Sequence, residues 1–234
     1  MRLLRLAPGS ALKHTRLVTL LGGGIPDDDP RLRAAIEDAQ MLGSLQLAGF
    51  DIAWEQVRAA RRGESAPAPL AALWRARAAV PRDARFSLDA LRAWHAAAAD
   101  APSTWRRATR IRDAGPPPAP PEFIASRLEL LASWLETDSS RELAPAQAGA
   151  LAMARLIEIA PFDDANGRVA RLAASHVMVR AGARPPVLVG ADRARLEAAL
   201  QAAFQLHTEP LTALLDEAGQ RALDVMLQTL EGRA

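Results

Sequence analysis

The chain has 234 residues, half of them hydrophobic, and its formal net charge is only +2. A chain of this length can build one sizeable core, or one core with a smaller attachment. Because the charge is so small, it gives no reason to expect a nucleic-acid partner. The absence of cysteine excludes disulfides and thiolate metal sites. No apolar run reaches the ~18 residues that a membrane span needs, so we expect a soluble cytoplasmic protein, with a secreted effector as the alternative.

The composition predicts an all-α fold. Alanine and leucine dominate, tyrosine is absent and β-branched residues are few, which favours helices over strands. Alternating apolar and polar residues over strand lengths are also scarce. We therefore expect a helical bundle with at most one short hairpin.

The predicted helices follow a loop that closes the first 30 residues. Asp28 or Asp29 is placed to cap a helix that begins at Pro30, and Gly49 is placed to stop it. Further helices are predicted at about 53–62, 70–80, 87–98, 122–135, 145–159, 166–180, 191–205 and 209–230. The helix after Pro145 is apolar on most sides, which predicts that it is central and buried. The least helical segment is TWRRATRIR, residues 104–112, which fits two short strands or an extended loop.

The run PFDDANGRVAR, residues 161–171, carries the chemistry of the sequence. It joins two helices, and the unpaired N–H groups at the start of a helix attract anions. The small residues at 165–167 would let an anion approach those groups. Arg168 and Arg171 share one face of the first turn, and two aspartates precede them, as expected where Mg²⁺ bridges a carboxylate and a phosphate. The run therefore predicts a polyphosphate site, with a capped helix carrying surface salt bridges as the alternative.

This run resembles the signature H-P-F-x-[D/E]-G-N-[G/K]-R-x-x-R of the Fic (Fido) family. The matching residues are Pro161, Phe162, Asp164, Asn166, Gly167, Arg168 and Arg171. Ala165 stands where glycine is usual. Flanking segments resemble the family in the same order, over roughly residues 100–215. The resemblance implies a Fic-type helical bundle with a short β-hairpin flap, divided into an N-terminal segment (1–29), an N-terminal helical region (30–99) and a Fic core (100–234).

The resemblance also implies an activity, the transfer of AMP from ATP to a hydroxyl side chain of a target protein. Asp164 would hold Mg²⁺, and the turn at Ala165 with the backbone of Asn166 and Gly167 would form the anion hole. Arg168 and Arg171 would pair with the β- and γ-phosphates. Pro161 and Phe162 would fix the loop. The flap, which we define as residues 104–112, would hold the target peptide as an added strand; its candidate residues are Trp105, Arg106, Thr109 and Ile111.

One departure from the family pattern concerns catalysis. Ala160 occupies the position of the family's histidine, the general base for the target hydroxyl. Losing a positioned base costs on the order of 10²–10⁴ in rate. His176 lies roughly two turns into the next helix, and His95 and His207 are distant in sequence, so none is a strong replacement. Asp163 is closer and ranks above His176 as a substitute base.

A second departure concerns regulation. Many Fic proteins carry an inhibitory helix with the pattern [S/T]-x-x-x-E-[G/N], and the run from Ser44 to Gly49 resembles it with Ala48 in place of glutamate. Ser44 and Ala48 share one helix face; an ordinary helix ending at a glycine is the alternative. Both departures are to alanine, which fits natural decay or engineering.

Four interpretations stay open: an impaired adenylyltransferase, a nucleotide-binding pseudoenzyme that holds a partner protein, a transferase for another phosphate-containing group, and a helical interaction domain without a ligand. Assembly as a homo-oligomer is also left open.

Overall fold

The computed structural model describes residues 8–23, 26–111 and 115–232. Within those ranges the α-helices are α1 (Pro8–Leu20), α2 (Pro30–Leu47), α3 (Trp54–Arg61), α4 (Ala68–Ala78), α5 (Leu88–Ala99), α6 (Ile124–Leu135), α7 (Asp138–Glu142), α8 (Pro145–Ile159), α9 (Asn166–Arg180), α10 (Arg193–Phe204) and α11 (Glu209–Leu230). No strand occurs among these residues, which confirms the all-α prediction. No helix in the described ranges is long and apolar enough to cross a membrane.

The expected hairpin flap is not formed. Trp105, Arg106, Thr109 and Ile111 lie in an extended segment that has no strand partner in the described part of the chain. Arg112, the last residue of the expected hairpin, lies outside the described residues. A strand is stabilised by the ladder that it shares with a neighbour, so a lone extended segment is not assigned as one.

Local capping signals set the helix starts well. The Asp29 side chain accepts hydrogen bonds from the N–H groups of Arg31 and Leu32, and Pro30 occupies the first turn of α2. Ser87 caps α5 in the same way. Two helices were not predicted: α1 lies ahead of the loop that ends the first 30 residues, where no element was assigned, and the five-residue α7 is too short to show a helical period.

The helices α8 and α9 form the centre of the bundle. The helix α8 contacts α6, α9, α10 and α11, which confirms that it is central. Small residues let these helices approach closely: a Cβ atom on Gly149 of α8 would lie 2.8 Å from Met178 Cγ of α9. A smaller cluster, which joins α1, α2 and α11, contains Leu17, Leu32, Ile36, Val187, Ala222, Leu223 and Met226.

The helix α2 lies against the extended segment that follows α9. A Cβ atom on Gly43 would come within 1.7 Å of the Leu188 carbonyl oxygen, so only glycine permits this approach. Gln40 fixes the same contact by donating hydrogen bonds to Ser175 Oγ (3.1 Å) and to the Pro186 carbonyl (2.9 Å). This packing brings the C-terminal turn of α2 next to the first turns of α9.

Candidate functional site

The loop between α8 and α9 makes a tight turn with a left-handed residue at each end. Ala160 caps α8 with φ 46 and ψ 65, and Ala165 precedes α9 with φ 59 and ψ 5. Each left-handed alanine costs roughly 1–2 kcal/mol, so surrounding contacts must hold the loop in this shape. Both residues are buried.

Asn166 and Phe162 hold the loop from inside. The Asn166 side chain accepts a hydrogen bond from the Phe162 N–H (3.0 Å) and donates one to the Phe162 carbonyl (2.7 Å). The Phe162 ring is fully buried and stacks on His95, with ring centroids 3.8 Å apart and planes inclined by 7°. Trp105 of the flap also packs against Phe162, with ring centroids 5.2 Å apart. The loop is therefore anchored to both α5 and the flap.

The start of α9 presents unpaired donors. The backbone N–H groups of Asn166, Gly167 and Arg168 have no hydrogen-bond partner among the described residues, and the first bond of the helix runs from the Val169 N–H to the Ala165 carbonyl (3.0 Å). Gly167 also makes room for an arginine, because a Cβ atom there would lie 3.1 Å from Arg171 Nη1. The helix start thus has the N–H donors that an anion needs, with a guanidinium beside them.

Arg168 is buried and held by three groups. Its guanidinium donates to the Ala98 carbonyl (2.6 Å) and to Asp164 Oδ2 (3.1 Å), and it lies 5.4 Å from the centroid of the Phe50 ring. The Asp164 side chain itself is 81% exposed. This carboxylate therefore projects from the loop while one of its oxygens fixes Arg168.

Arg171 is a cation without a counter-charge. Its Nε donates to Ser44 Oγ (2.8 Å) and its Nη2 to the Ser44 carbonyl (2.7 Å), and it has no ion pair within the described ranges. Burial, with smaller contributions from Arg168 and Arg193, lowers the pKa of Arg171 to about 9. Arginine keeps its proton in proteins, so the lowered pKa means that this charge is poorly stabilised. A bound anion would supply the missing stabilisation.

The C-terminal end of α2 comes to the site through Ser44. Ala48 lies one turn further along, at the C-cap of α2, and is exposed. Gly49 follows with φ +90, a conformation that favours glycine. The inhibitory-helix-like residues are therefore beside the predicted phosphate arginine, with serine rather than a carboxylate in contact with it.

The flap is attached to the loop by two arginines. Arg106 is 1% exposed and donates to the Ala160 carbonyl (2.7 Å), while its own N–H donates to the Pro161 carbonyl (2.9 Å). Arg110 donates to the carbonyls of Phe162 (3.3 Å) and Asp163 (3.0 Å). Further along, Ile111 is 95% exposed. The flap is therefore buried where it meets the loop and exposed at its far end.

The histidines divide between the site and its surroundings. His95, which sequence spacing did not connect to the loop, lies beneath Phe162, and its Nδ1 is 3.1 Å from Ser103 Oγ. Burial lowers the pKa of His95, opposed first by the charge of Asp164. His176 lies away from the loop, with Nε2 2.8 Å from the Ala84 carbonyl and its ring edge-on to Trp94. His95 thus supports the loop, a role that no local sequence signal indicates.

Comparison with known proteins shows which fold this chain has and which family it resembles. The model of the Fic/DOC family matches residues 85–178, which is less than half of the chain. The protein adenylyltransferase fic-1 of Caenorhabditis elegans is 35% identical over 86 residues, which are 37% of this chain and 17% of that relative. Only about a sixth of that curated relative is therefore represented in the match.

Solved structures extend the similarity over nearly the whole chain. Fic-1 from C. elegans matches 94% of this chain and 70% of its own at TM-score 0.73 and 19% identity. IbpAFic2 in complex with adenylylated Cdc42 matches 93% of this chain and 71% of its own at TM-score 0.56 and 14% identity. At these identities the likeness establishes the fold, and the activity has to be argued from the residues themselves.

Proposed function

We propose that this protein binds ATP with Mg²⁺ at the start of α9 and is a Fic-type protein adenylyltransferase whose transfer step is impaired by Ala160. The binding proposal rests on one observation: N–H donors without partners lie beside a positive charge that has no counter-ion in the described ranges. Three free N–H groups begin α9, and the Arg171 guanidinium lies beside them without a counter-ion. Together these groups match the negative charge and the many acceptor oxygens of a polyphosphate.

Each backbone and side-chain group of the site has a role in this proposal. The N–H groups of Asn166 and Gly167 donate to the α- and β-phosphates, and Arg168 and Arg171 neutralise the β- and γ-phosphates. Ala165 and Gly167 keep the approach free of bulk. Pro161 and Phe162 hold the loop in place from the core side.

The donor set at the loop fits a magnesium ion that arrives with the nucleotide. No group of three or more potential metal-ligating side chains occurs in the described part of the chain. Mg²⁺ in phosphate-transfer sites is held by one or two carboxylates and the substrate phosphates, and Asp164 offers one exposed carboxylate beside the anion site. When bound, the ion would neutralise charge that develops on the phosphates.

The lack of a general base at position 160 impairs AMP transfer without affecting nucleotide binding. In adenylyl transfer the target hydroxyl oxygen attacks the α-phosphorus, the bond to pyrophosphate breaks, and the hydroxyl proton must leave. The Ala160 methyl group cannot accept that proton, which costs on the order of 10²–10⁴ in rate. Asp163 is exposed at the next turn of the loop and is the nearest carboxylate that could take the proton instead.

The target is proposed to be a protein that presents a hydroxyl side chain in an extended segment. The flap is an extended segment that pairs with no strand among the described residues, and Arg106 and Arg110 attach it to the loop; a target peptide could add to it as a strand. The structure of IbpAFic2 with adenylylated Cdc42 shows a protein with this fold together with a protein target. That case supports a protein substrate here.

A nucleotide-binding pseudoenzyme is the second candidate, and two residues favour it. Ala160 removes the base, and Ala48 removes the carboxylate of the inhibitory-helix pattern. A protein that does not transfer AMP has no need of inhibition, so the two changes are consistent with a protein that holds ATP and a partner.

Comparison of the unsubstituted chain with Ala160→His, using ATP labelled on the α-phosphate, tests the proposal. We expect the histidine variant to label itself or an added protein fraction at least 100-fold faster than the unsubstituted chain. The matched control is the same variant with Arg171→Met, which should lose labelling. Tight Mg·ATP binding without labelling by the histidine variant would favour the pseudoenzyme, and no binding at all would refute the nucleotide site.

A further inference from the structure

The Arg106 side chain contacts both the flap and the end of α8. Its guanidinium donates to the carbonyls of Ala160 (2.7 Å), Ala108 (2.7 Å), Ile159 (3.3 Å) and Ala119. No carboxylate pairs with it in the described ranges, and burial lowers its pKa. A buried arginine that uses four donors on backbone carbonyls fixes backbone geometry and does not serve as half of a salt bridge.

The contacts of Arg106 define the direction of the side chain at position 160. The Ala160 N–H is held by the Leu156 carbonyl (2.9 Å), the Ala160 carbonyl by Arg106 Nε, and the Pro161 carbonyl by the Arg106 N–H (2.9 Å). With the peptide groups on both sides fixed, φ and ψ of Ala160 are fixed, and so is its Cα–Cβ bond. The cation also lies at the C-terminal end of α8, where it satisfies carbonyls that the helix leaves unpaired.

The same guanidinium holds the flap. Its Nη1 donates to the carbonyl of Ala108, two residues further along the extended segment that would receive a target strand. One planar, rigid group therefore joins the flap backbone to the residue that precedes the phosphate loop.

We propose that Arg106 is a positioning residue that sets the register between a target strand on the flap and the side chain at position 160. This inference rests on the proposed function, because it assigns a purpose to the flap and to position 160. A target hydroxyl held by the flap and a base held at position 160 must meet within a few tenths of an ångström, and a misplacement of about 1 Å can cost 10²-fold in rate. Arg106 links both through a single side chain.

Hydrogen–deuterium exchange tests the link in the unsubstituted chain, without any need for catalysis. Arg106→Met should speed exchange of the amides of residues 105–108 and 160–162 at least tenfold, while the Kd for Mg·ATP stays within twofold. Arg184→Met is the matched control, since Arg184 is also buried and pairs with Asp27 at 2.9 and 2.7 Å, away from the site. This control should leave exchange in the two segments unchanged.

Transfer kinetics in the Ala160→His background supply the second test. Arg106→Met should lower kcat at least tenfold with KM for ATP within twofold, and Arg106→Lys, which keeps the charge and part of the hydrogen bonding, should recover part of the loss. A parallel fall of kcat and ATP affinity, or exchange no faster than in Arg184→Met, would overturn the positioning role. If the histidine background shows no transfer, the proposed function fails, while the exchange experiment still decides whether Arg106 links flap and loop.

Discussion

Replacing Arg171 with methionine should stabilise the protein while abolishing its response to nucleotide. Desolvation, with smaller contributions from the charges of Arg168 and Arg193, lowers the pKa of Arg171 to about 9. At about 1.4 kcal/mol for each pKa unit, this lowering corresponds to at most about 5 kcal/mol of unfavourable electrostatics in the folded state. Because the residue is partly exposed, solvent screening reduces this value.

The methionine variant also loses hydrogen bonds, and this loss offsets part of the gain in stability. The Ser44 hydroxyl and carbonyl lose their donors, which costs about 1–3 kcal/mol for partly buried groups. The net expectation is a gain of about 1–2 kcal/mol in the free energy of unfolding. For a chain of this size that raises Tm by roughly 4 °C.

Thermal unfolding with and without Mg·ATP measures both effects in one assay. The unsubstituted chain should gain about 2.7 kcal/mol when ATP is present at 100 times its Kd, and Arg171→Met should gain almost nothing. Arg180→Met is the control on the same helix; Arg180 is ion-paired with Glu136 at 2.6 Å, so this change should lower Tm slightly and leave the nucleotide response intact. A lower Tm for ligand-free Arg171→Met, or a normal ATP response, would refute the reasoning.

Two further predictions concern position 48 at the end of α2 and the pH dependence of stability. Ala48→Glu should place a carboxylate one turn from Ser44, raise the Tm of the ligand-free protein and weaken Mg·ATP binding at least tenfold, as measured by calorimetry; a matching loss in Ala48→Gln would contradict a charge effect. Burial lowers the pKa values of His95 and His176, so below the unfolded-state value of about 6.5 the unfolded chain takes up protons that the folded chain does not. The free energy of unfolding should therefore fall as pH drops from about 6.5 to 5, and His176→Gln should flatten that slope in denaturant titrations, whereas the exposed His207→Gln should not.

The flap shows where sequence interpretation reached its limit. The pattern in residues 104–112 indicated an extended segment correctly, but the two strands of a hairpin did not follow from it. Strand formation depends on hydrogen bonds to a neighbouring strand. Within the described residues, the flap instead contacts the loop through the side chains of Arg106 and Arg110. A partner strand is a property of the complex, which no local pattern of this chain encodes.

The sequence by itself determined the all-α class, most helix positions and the run from Pro161 to Arg171, because capping residues, helical periodicity and a short motif are local. Only the tertiary structure decided how that run is held. Ser44 reaches Arg171 across 127 residues, Arg106 reaches Ala160 across 54, and His95 stacks on Phe162 from another helix. Such contacts depend on how α2, α5 and the flap pack around α8 and α9, and packing partners far apart in the chain leave no mark in the spacing of either segment.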